Sequence, residues 1–186
     1  MATMTKRAME ASLKKLLTEK PLDKITITDI TNDCGMSRMS FYYHFKDIYD
    51  LVEWACEEDA KRFLEGKRSR ATWQEGYIAV FEEIKRDAPF VLNVYRSVSH
   101  DKLEDYLHKV CFDLLYAVVE EESQGTKARE EDKIFVANLY KYAFVGLVLD
   151  WIRTGMKEEP AVIVAKLSAV MEGRFRQALV ALGEKN

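Results

Sequence analysis

Ser37, Arg38, Met39, Ser40, Tyr42, Tyr43, His44 and Lys46 lie close together just after a glycine at position 35. Hydroxyls, a guanidinium, an imidazole and an amine are the donors that phosphate oxygens and base edges accept from. Arg38 is the first choice for a base contact, because a bidentate arginine–guanine pair discriminates between bases by about 1–3 kcal/mol. Tyr42, His44 and Lys46 are expected to fix the protein on the backbone. Lys46 stands at the start of a following helix, where a positive helix end and an amine would hold a phosphate together. Thr26 and Thr28 complete the DNA-facing set, while Phe41 and Phe45 are left as core anchors.

Such donors work only if short helices present them. Thr26 before Ile27, with Asp29 three residues on, reads as an N-cap with a carboxylate in the first turn of a helix running to Cys34. Gly35 tolerates the positive φ of a tight corner, and Ser37 caps the next helix, 38–45. In such a helix–turn–helix the second helix enters the major groove with its N-terminal residues toward the bases. Upstream, Met9, Leu13, Leu16 and Leu17 mark one face of a helix over 5–19 that Pro21 ends. Downstream, a helix spans 48–64, and Gly66 with Lys67, Arg68 and Arg70 forms a linker. Five further helices are expected over 73–87, 89–97, 101–122, 130–153 and 160–182, with Pro89 and Pro160 in first turns and Gly125 and Gly155 at helix ends. The fold class is therefore all-α: a three-helix domain over 1–46 and a helical domain over 47–186.

The runs 25–30, 34–38 and 40–45 together resemble the N-terminal domain of the TetR family of transcriptional regulators. That family shows Thr-apolar-x-Asp-Ile, Gly-apolar-Ser and an aromatic Tyr-x-His-Phe exit at these spacings. The stretch from Phe41 through Trp54 is similar to the branch of probable dihydroxyacetone-kinase regulators. Thr31 stands where the family usually has a small alanine, and Met39 where glycine is frequent. The resemblance implies a homodimer on a near-palindromic operator, with the C-terminal helices forming an effector pocket and the last two packing against a second copy. It also implies a switch in which the helix over 48–64 tilts and changes the separation of the two recognition helices.

Residues 134–152 are apolar on nearly every side, which a monomeric shell of this size would struggle to bury. Gly146 in their midst costs about 1 kcal/mol of helix propensity, and close approach of a partner helix is one reason to keep it. Tyr142, Gly146, Leu149, Trp151, Ile152, Leu167 and Met171 are the expected dimer contacts. Trp73, Tyr77, Phe81, Tyr95, Phe112, Tyr116, Tyr140 and Phe144 are candidates to line an apolar cavity, with His108, Asn93 or Asn138 as polar fixtures. For each of them ordinary core packing is the competing role. The effector is a small molecule or a protein. His100, Glu104, His108 and Cys111 share helical spacing, but a capping pair of Asp101 with Glu104 would put His100 outside the helix, and no metal or cofactor is expected.

Up to position 46, eight basic residues face five acidic ones, a net of +3 that leaves −6 for the rest of a chain whose total is −3. A basic head on an acidic body suits contact with phosphate at one end. Three scattered cysteines without a C-x-x-C pair argue against a disulfide scaffold or zinc knuckle, and the N-terminus is not a signal peptide, so a cytoplasmic protein is expected. No phosphate-binding glycine loop, G-x-S-x-G or H-E-x-x-H occurs, which speaks against an enzyme. The alternative reading is a helical interaction module without DNA binding.

Overall fold

The computed structural model describes residues 2–96 and 100–184 and contains no strand among them. Its helices are α1 (Ala2–Leu16), α2 (Ile27–Asp33), α3 (Arg38–His44), α4 (Ile48–Phe63), α5 (Trp73–Arg86), α6 (Ala88–Arg96), α7 (His100–Glu122), α8 (Glu130–Arg153), α9 (Pro160–Met171) and α10 (Arg174–Gly183). A short 3-10 helix, Leu22–Lys24, follows Pro21. The chain forms two compact units, one of residues 1–59 and 87–106, the other of 60–86 and 107–186.

In the first unit, Met9 and Leu13 of α1, Ile30 of α2, Phe41 of α3 and Leu51 of α4 are fully buried, with Phe45 almost so. These are the apolar faces that the helical spacing marks. Polar groups join the same core without loss. The Ser12 hydroxyl donates to the Ile30 carbonyl at 3.1 Å and pins α1 to α2. Thr31, buried where an alanine would be unremarkable, donates its hydroxyl to the Ile27 carbonyl at 2.9 Å and to that of Thr28 at 3.3 Å. Its extra oxygen is therefore satisfied inside its own helix.

The second unit is built around rings. Tyr77 lies 4.5 Å from Phe144 and 5.0 Å from Phe81, and Phe81 meets Trp151 edge-on at 5.0 Å. The Tyr77 hydroxyl donates to the Phe144 carbonyl at 2.6 Å, so even the polar tip is used. α8 is long and apolar enough to cross a membrane by length and composition, yet seven of its residues, among them Val136, Phe144, Val148 and Ile152, lie in this core.

Two sequence expectations change here. The helix expected over 160–182 is two helices, because Glu172 leaves the helical conformation and Gly173 adopts φ +69° before α10 begins. α7 begins at His100, so Asp101 lies inside the helix and is not its cap. The His100 side chain, and Ser97 at the end of the helix expected over 89–97, fall outside the described residues. Cys111 is fully buried, and burial pushes its thiol up to about 12, which keeps it a protonated core residue.

Asp29 gives the first unit an acid-sensitive point. The Lys20 amine, then the Thr26 backbone N–H and hydroxyl, hold its carboxyl down at about 2. In the unfolded chain it titrates near about 4. Its contribution is thus complete above about pH 4 and is lost as the pH falls toward 2. An Asp29→Asn variant should lose stability at neutral pH and should show a flatter acid-unfolding curve across that window, as followed by circular dichroism.

Candidate nucleic-acid interface

α2 and α3 are each only seven residues long, so their ends must be fixed by specific groups. Thr26 caps α2 in a reciprocal box: its hydroxyl accepts from the Asp29 N–H at 3.1 Å, and the Asp29 carboxylate accepts from the Thr26 N–H at 2.8 Å. The corner after α2 is a Schellman turn. The Met36 N–H reaches the Thr31 carbonyl at 2.8 Å, the Gly35 N–H reaches Asn32 at 3.3 Å, and Gly35 takes φ +68°. Ser37 then caps α3 by accepting from the Ser40 N–H at 3.1 Å.

α3 has two faces. Phe41 packs inward and holds Phe45 at 5.7 Å and the edge of Tyr42 at 5.9 Å. Arg38, Met39, Tyr42 and Tyr43 stand on the exposed side, with Met39 83% and Tyr43 84% accessible. Large apolar side chains this exposed on a seven-residue helix indicate a surface meant to be covered. Ser40 and His44 are half-buried at its flanks, and His44 meets the Tyr43 ring edge-on at 4.9 Å.

The structure separates donors that are available from donors already used. Thr26 spends its hydroxyl on Asp29, and Ser37 spends its own as a cap acceptor, which leaves its proton available. Thr28 is exposed. Lys15 pairs with Asp33, Lys20 with Asp29, and Lys14 with Glu10, Asp59 and Asp87. Much of the basic surplus of the head is thus neutralised internally. Arg38, Lys46 and Arg7 have no ion-pair partner among the described residues and are exposed.

The start of α4 differs from the expected phosphate clasp. The Lys46 N–H donates to Asp50 at 2.9 Å and the Asp50 N–H donates to Asp47 at 2.9 Å. Two carboxylates therefore occupy the positive helix end, and only the Lys46 amine remains to meet a phosphate. Sequence reasoning passed over Lys6 and Arg7 except as charges. α1 reaches back to Ala2, and the Lys6 amine sits 5.2 Å from the Phe45 ring centroid and 5.4 Å from that of Trp54. A helix start this far upstream carries no cap signal, which is why the spacing did not reveal it.

The residues expected to line an effector cavity take part in several separate contacts. Trp73, Tyr77, Phe81 and Phe144 close on one another in the ring core. Phe112 stacks on Tyr116 at 5.6 Å, and the Tyr116 hydroxyl is taken by Glu130 and Glu120. Tyr140 packs on Phe175, and His108 on Tyr142. Asn138 bonds to the Ile134 carbonyl and to Lys141. Tyr95 and Asn93 belong to α6 in the other unit, where Asn93 bonds to the Leu17 carbonyl. The second unit does have a groove of about 530 Å³ beside Gly173, lined by Arg70, Trp73, Gln74, Glu122, Ser168 and Phe175 among others. Of the expected set only Trp73 reaches it.

The expected dimer residues also divide. Trp151, Ile152 and Met171 are buried in their own chain, and Leu149 and Leu167 are half-buried. Tyr142 and Gly146 are exposed, and with Phe135, Leu139 and Ala143 they form one open stripe along α8. Phe135 and Tyr142 are 60% and 63% accessible. Phe135 and Leu139 were not among the expected contacts; they precede Tyr142 and Gly146 at spacings of four, three and four.

Comparison with known proteins agrees with this architecture. Residues 11–55 match the family model described as bacterial regulatory proteins, tetR family, and residues 71–173 match that of a transcriptional regulator C-terminal region. The chain is similar to the uncharacterized HTH-type transcriptional regulator YerO of Bacillus subtilis (strain 168), at 24% identity over 93% of the chain and 66% of YerO. It is also similar to the HTH-type dhaKLM operon transcriptional activator DhaS of Lactococcus lactis subsp. lactis (strain IL1403), at 22% identity over 59% of the chain and 62% of DhaS. It thus spans just under two thirds of the length of these relatives. Among solved structures, the dihydroxyacetone kinase operon activator DhaS superposes with a TM-score of 0.72 at 15% identity, over 94% of this chain and 98% of that one. NalD of Pseudomonas aeruginosa, the secondary repressor of the MexAB-OprM multidrug efflux pump, gives 0.59 at 14% identity over 92% and 96%. AlkX of Dietzia sp. strain DQ12-45-1b gives 0.58 at 14% identity over 92% and 98%. With both parts of the chain matched, and the second match alone spanning more than half of it, the protein belongs to the TetR family of transcriptional regulators.

Proposed function

We propose that the chain is a homodimeric, sequence-specific DNA-binding regulator in the cytoplasm that reads a near-palindromic operator and answers to a small-molecule or protein effector. The observation that carries the reading is the outer face of α3. There an ion-unpaired Arg38 stands among Met39, Tyr42 and Tyr43 on a corner fixed by a Schellman turn and a serine cap. In this reading residues 1–46 bind DNA and residues 47–186 bind the effector and the second copy. Arg38 contacts a base, while Ser37, Ser40, His44 and Lys46, with Thr26 and Thr28 at the preceding helix, hold the backbone.

The α8 stripe supports the second copy. Phe135, Leu139 and Tyr142 leave more apolar surface open than an isolated soluble helix face would keep. A methyl group at Gly146 would meet nothing within 4 Å, so a partner helix has room to approach closely there. Two copies would set two α3 helices about 34–36 Å apart, one turn of DNA, or further for a longer operator.

Selection from a random duplex pool should enrich a near-palindromic site, and Arg38→Ala should cost about 1–3 kcal/mol on it and relax one base position in each half. A pool that enriches nothing with folded dimer at low salt would overturn the DNA-binding reading. Leu139→Glu with Tyr142→Glu should leave helicity unchanged and shift the protein to monomer in sedimentation velocity, because both side chains are exposed. A dimer that persists would remove α8 from the interface.

A further inference from the structure

Lys14 belongs to α1, and its amine meets three carboxylates of the first unit. It stands 2.7 Å from Asp59, 2.7 Å from Asp87, 3.2 Å from Glu10 and 5.6 Å from the centre of the Phe90 ring. One ammonium is thus shared by carboxylates of α1, of α4 and of the residue that leads into α6. Burial works against the charge on the amine, but its hydrogen bonds to Asp59 and Asp87 outweigh that and raise its affinity for the proton. The amine therefore stays an ammonium throughout the range in which proteins work.

α6 is held at a second point. The Asn93 amide donates to the Leu17 carbonyl of the α1 terminus at 3.0 Å and to the Pro89 carbonyl at 3.0 Å. Asp87, just before α6, is followed at intervals of three by Phe90 and Asn93 within it, while Leu17, one residue beyond α1, lies three from Lys14. The contact is therefore a two-point seam between α1 and α6, with Asp59 fastening α4 to the same lysine. α1 in turn carries the helix–turn–helix, through the Ser12 bond to Ile30 and the burial of Met9 and Leu13.

We propose that Lys14 is a positioning residue for operator binding, an ionic latch that fixes the helix–turn–helix to α4 and α6 in a single setting. The proposal rests on the reading that α3 binds DNA, and it names a contact that orients the head for that binding. A latched head meets DNA already oriented. An unlatched head reads one half-site equally well, but two unlatched heads must both be ordered before a palindrome is engaged, which weakens the complex. Part of the ion pairing is buried, so a neutral residue at position 14 removes the charge that three carboxylates share.

The test compares two duplexes, the full palindrome recovered by selection and the same DNA carrying a single half-site. Lys14→Gln should bind the full site about tenfold more weakly and the half-site within about twofold of the unmodified chain. Asp87→Asn with Asn93→Ala releases α6 while leaving the amine its Asp59 and Glu10 partners. This pair should show the same pattern, and it carries the test alone if Lys14→Gln does not fold. Equal losses on both duplexes would mean a merely structural role, and no loss on either would mean no role. Both results overturn the latch. An unmodified chain that binds neither duplex would instead remove the DNA-binding reading and the latch with it.

Discussion

Two helices of seven residues cannot hold themselves in water, because nucleation costs more than so few hydrogen bonds return. Everything this chain could do with α3 depends on how α2 and α3 are kept. Three local devices close their ends: the Thr26–Asp29 box, the Gly35 turn and the Ser37 cap. One shared core of Ile30, Phe41, Met9, Leu13 and Leu51 then supplies the burial that neither helix could gain alone. The same arrangement decides which side chains remain outside. Once Phe41 is committed inward, helical periodicity puts Met39 and Tyr43 on the opposite side, while Tyr42 at the edge and Arg38 in the first position of the helix also stay exposed.

Electrostatics sharpens that division. A count of charges gives the head a modest basic surplus, but the geometry spends Lys14, Lys15 and Lys20 on internal carboxylates. Asp47 and Asp50 likewise neutralise the start of α4. Among the described residues, the positive charge left without an ion-pair partner at Arg7, Arg38 and Lys46 is therefore a matter of placement more than of total. A regulator with few unpaired cations relies on directed contacts for its affinity, and its salt dependence reflects a small number of phosphates.

Much of the head was legible in the sequence because its determinants are local. Thr26, Gly35 and Ser37 act within five residues of themselves, and the apolar spacing of α1 names its own buried face. What was not legible depends on partners far along the chain. The carboxylates that hold Lys14 lie 45 and 73 residues away. A single glycine inside a helical pattern does not announce whether it continues the helix or ends it, so the break at Gly173, between Glu172 and Arg174, was missed. The ring contacts of the second unit join residues 67 and 70 positions apart, such as Tyr77 with Phe144 and Phe81 with Trp151, so spacing along the chain could not reveal them. Along α8, hydrophobicity on every side showed that both faces needed cover. It could not show that Trp151 and Ile152 are covered by their own chain while Phe135 and Leu139 are not.

The central claim is that two copies of α3 read one stretch of DNA as a rigid pair. The most direct measurement is affinity for the selected operator after five base pairs, half a helical turn, are inserted between its half-sites. The account predicts a fall to the affinity of a single half-site, since one head would then face the wrong side of the duplex. Unchanged affinity would contradict it, because the two reading heads would then be independent and neither the α8 pairing nor the fixed setting of the heads could matter.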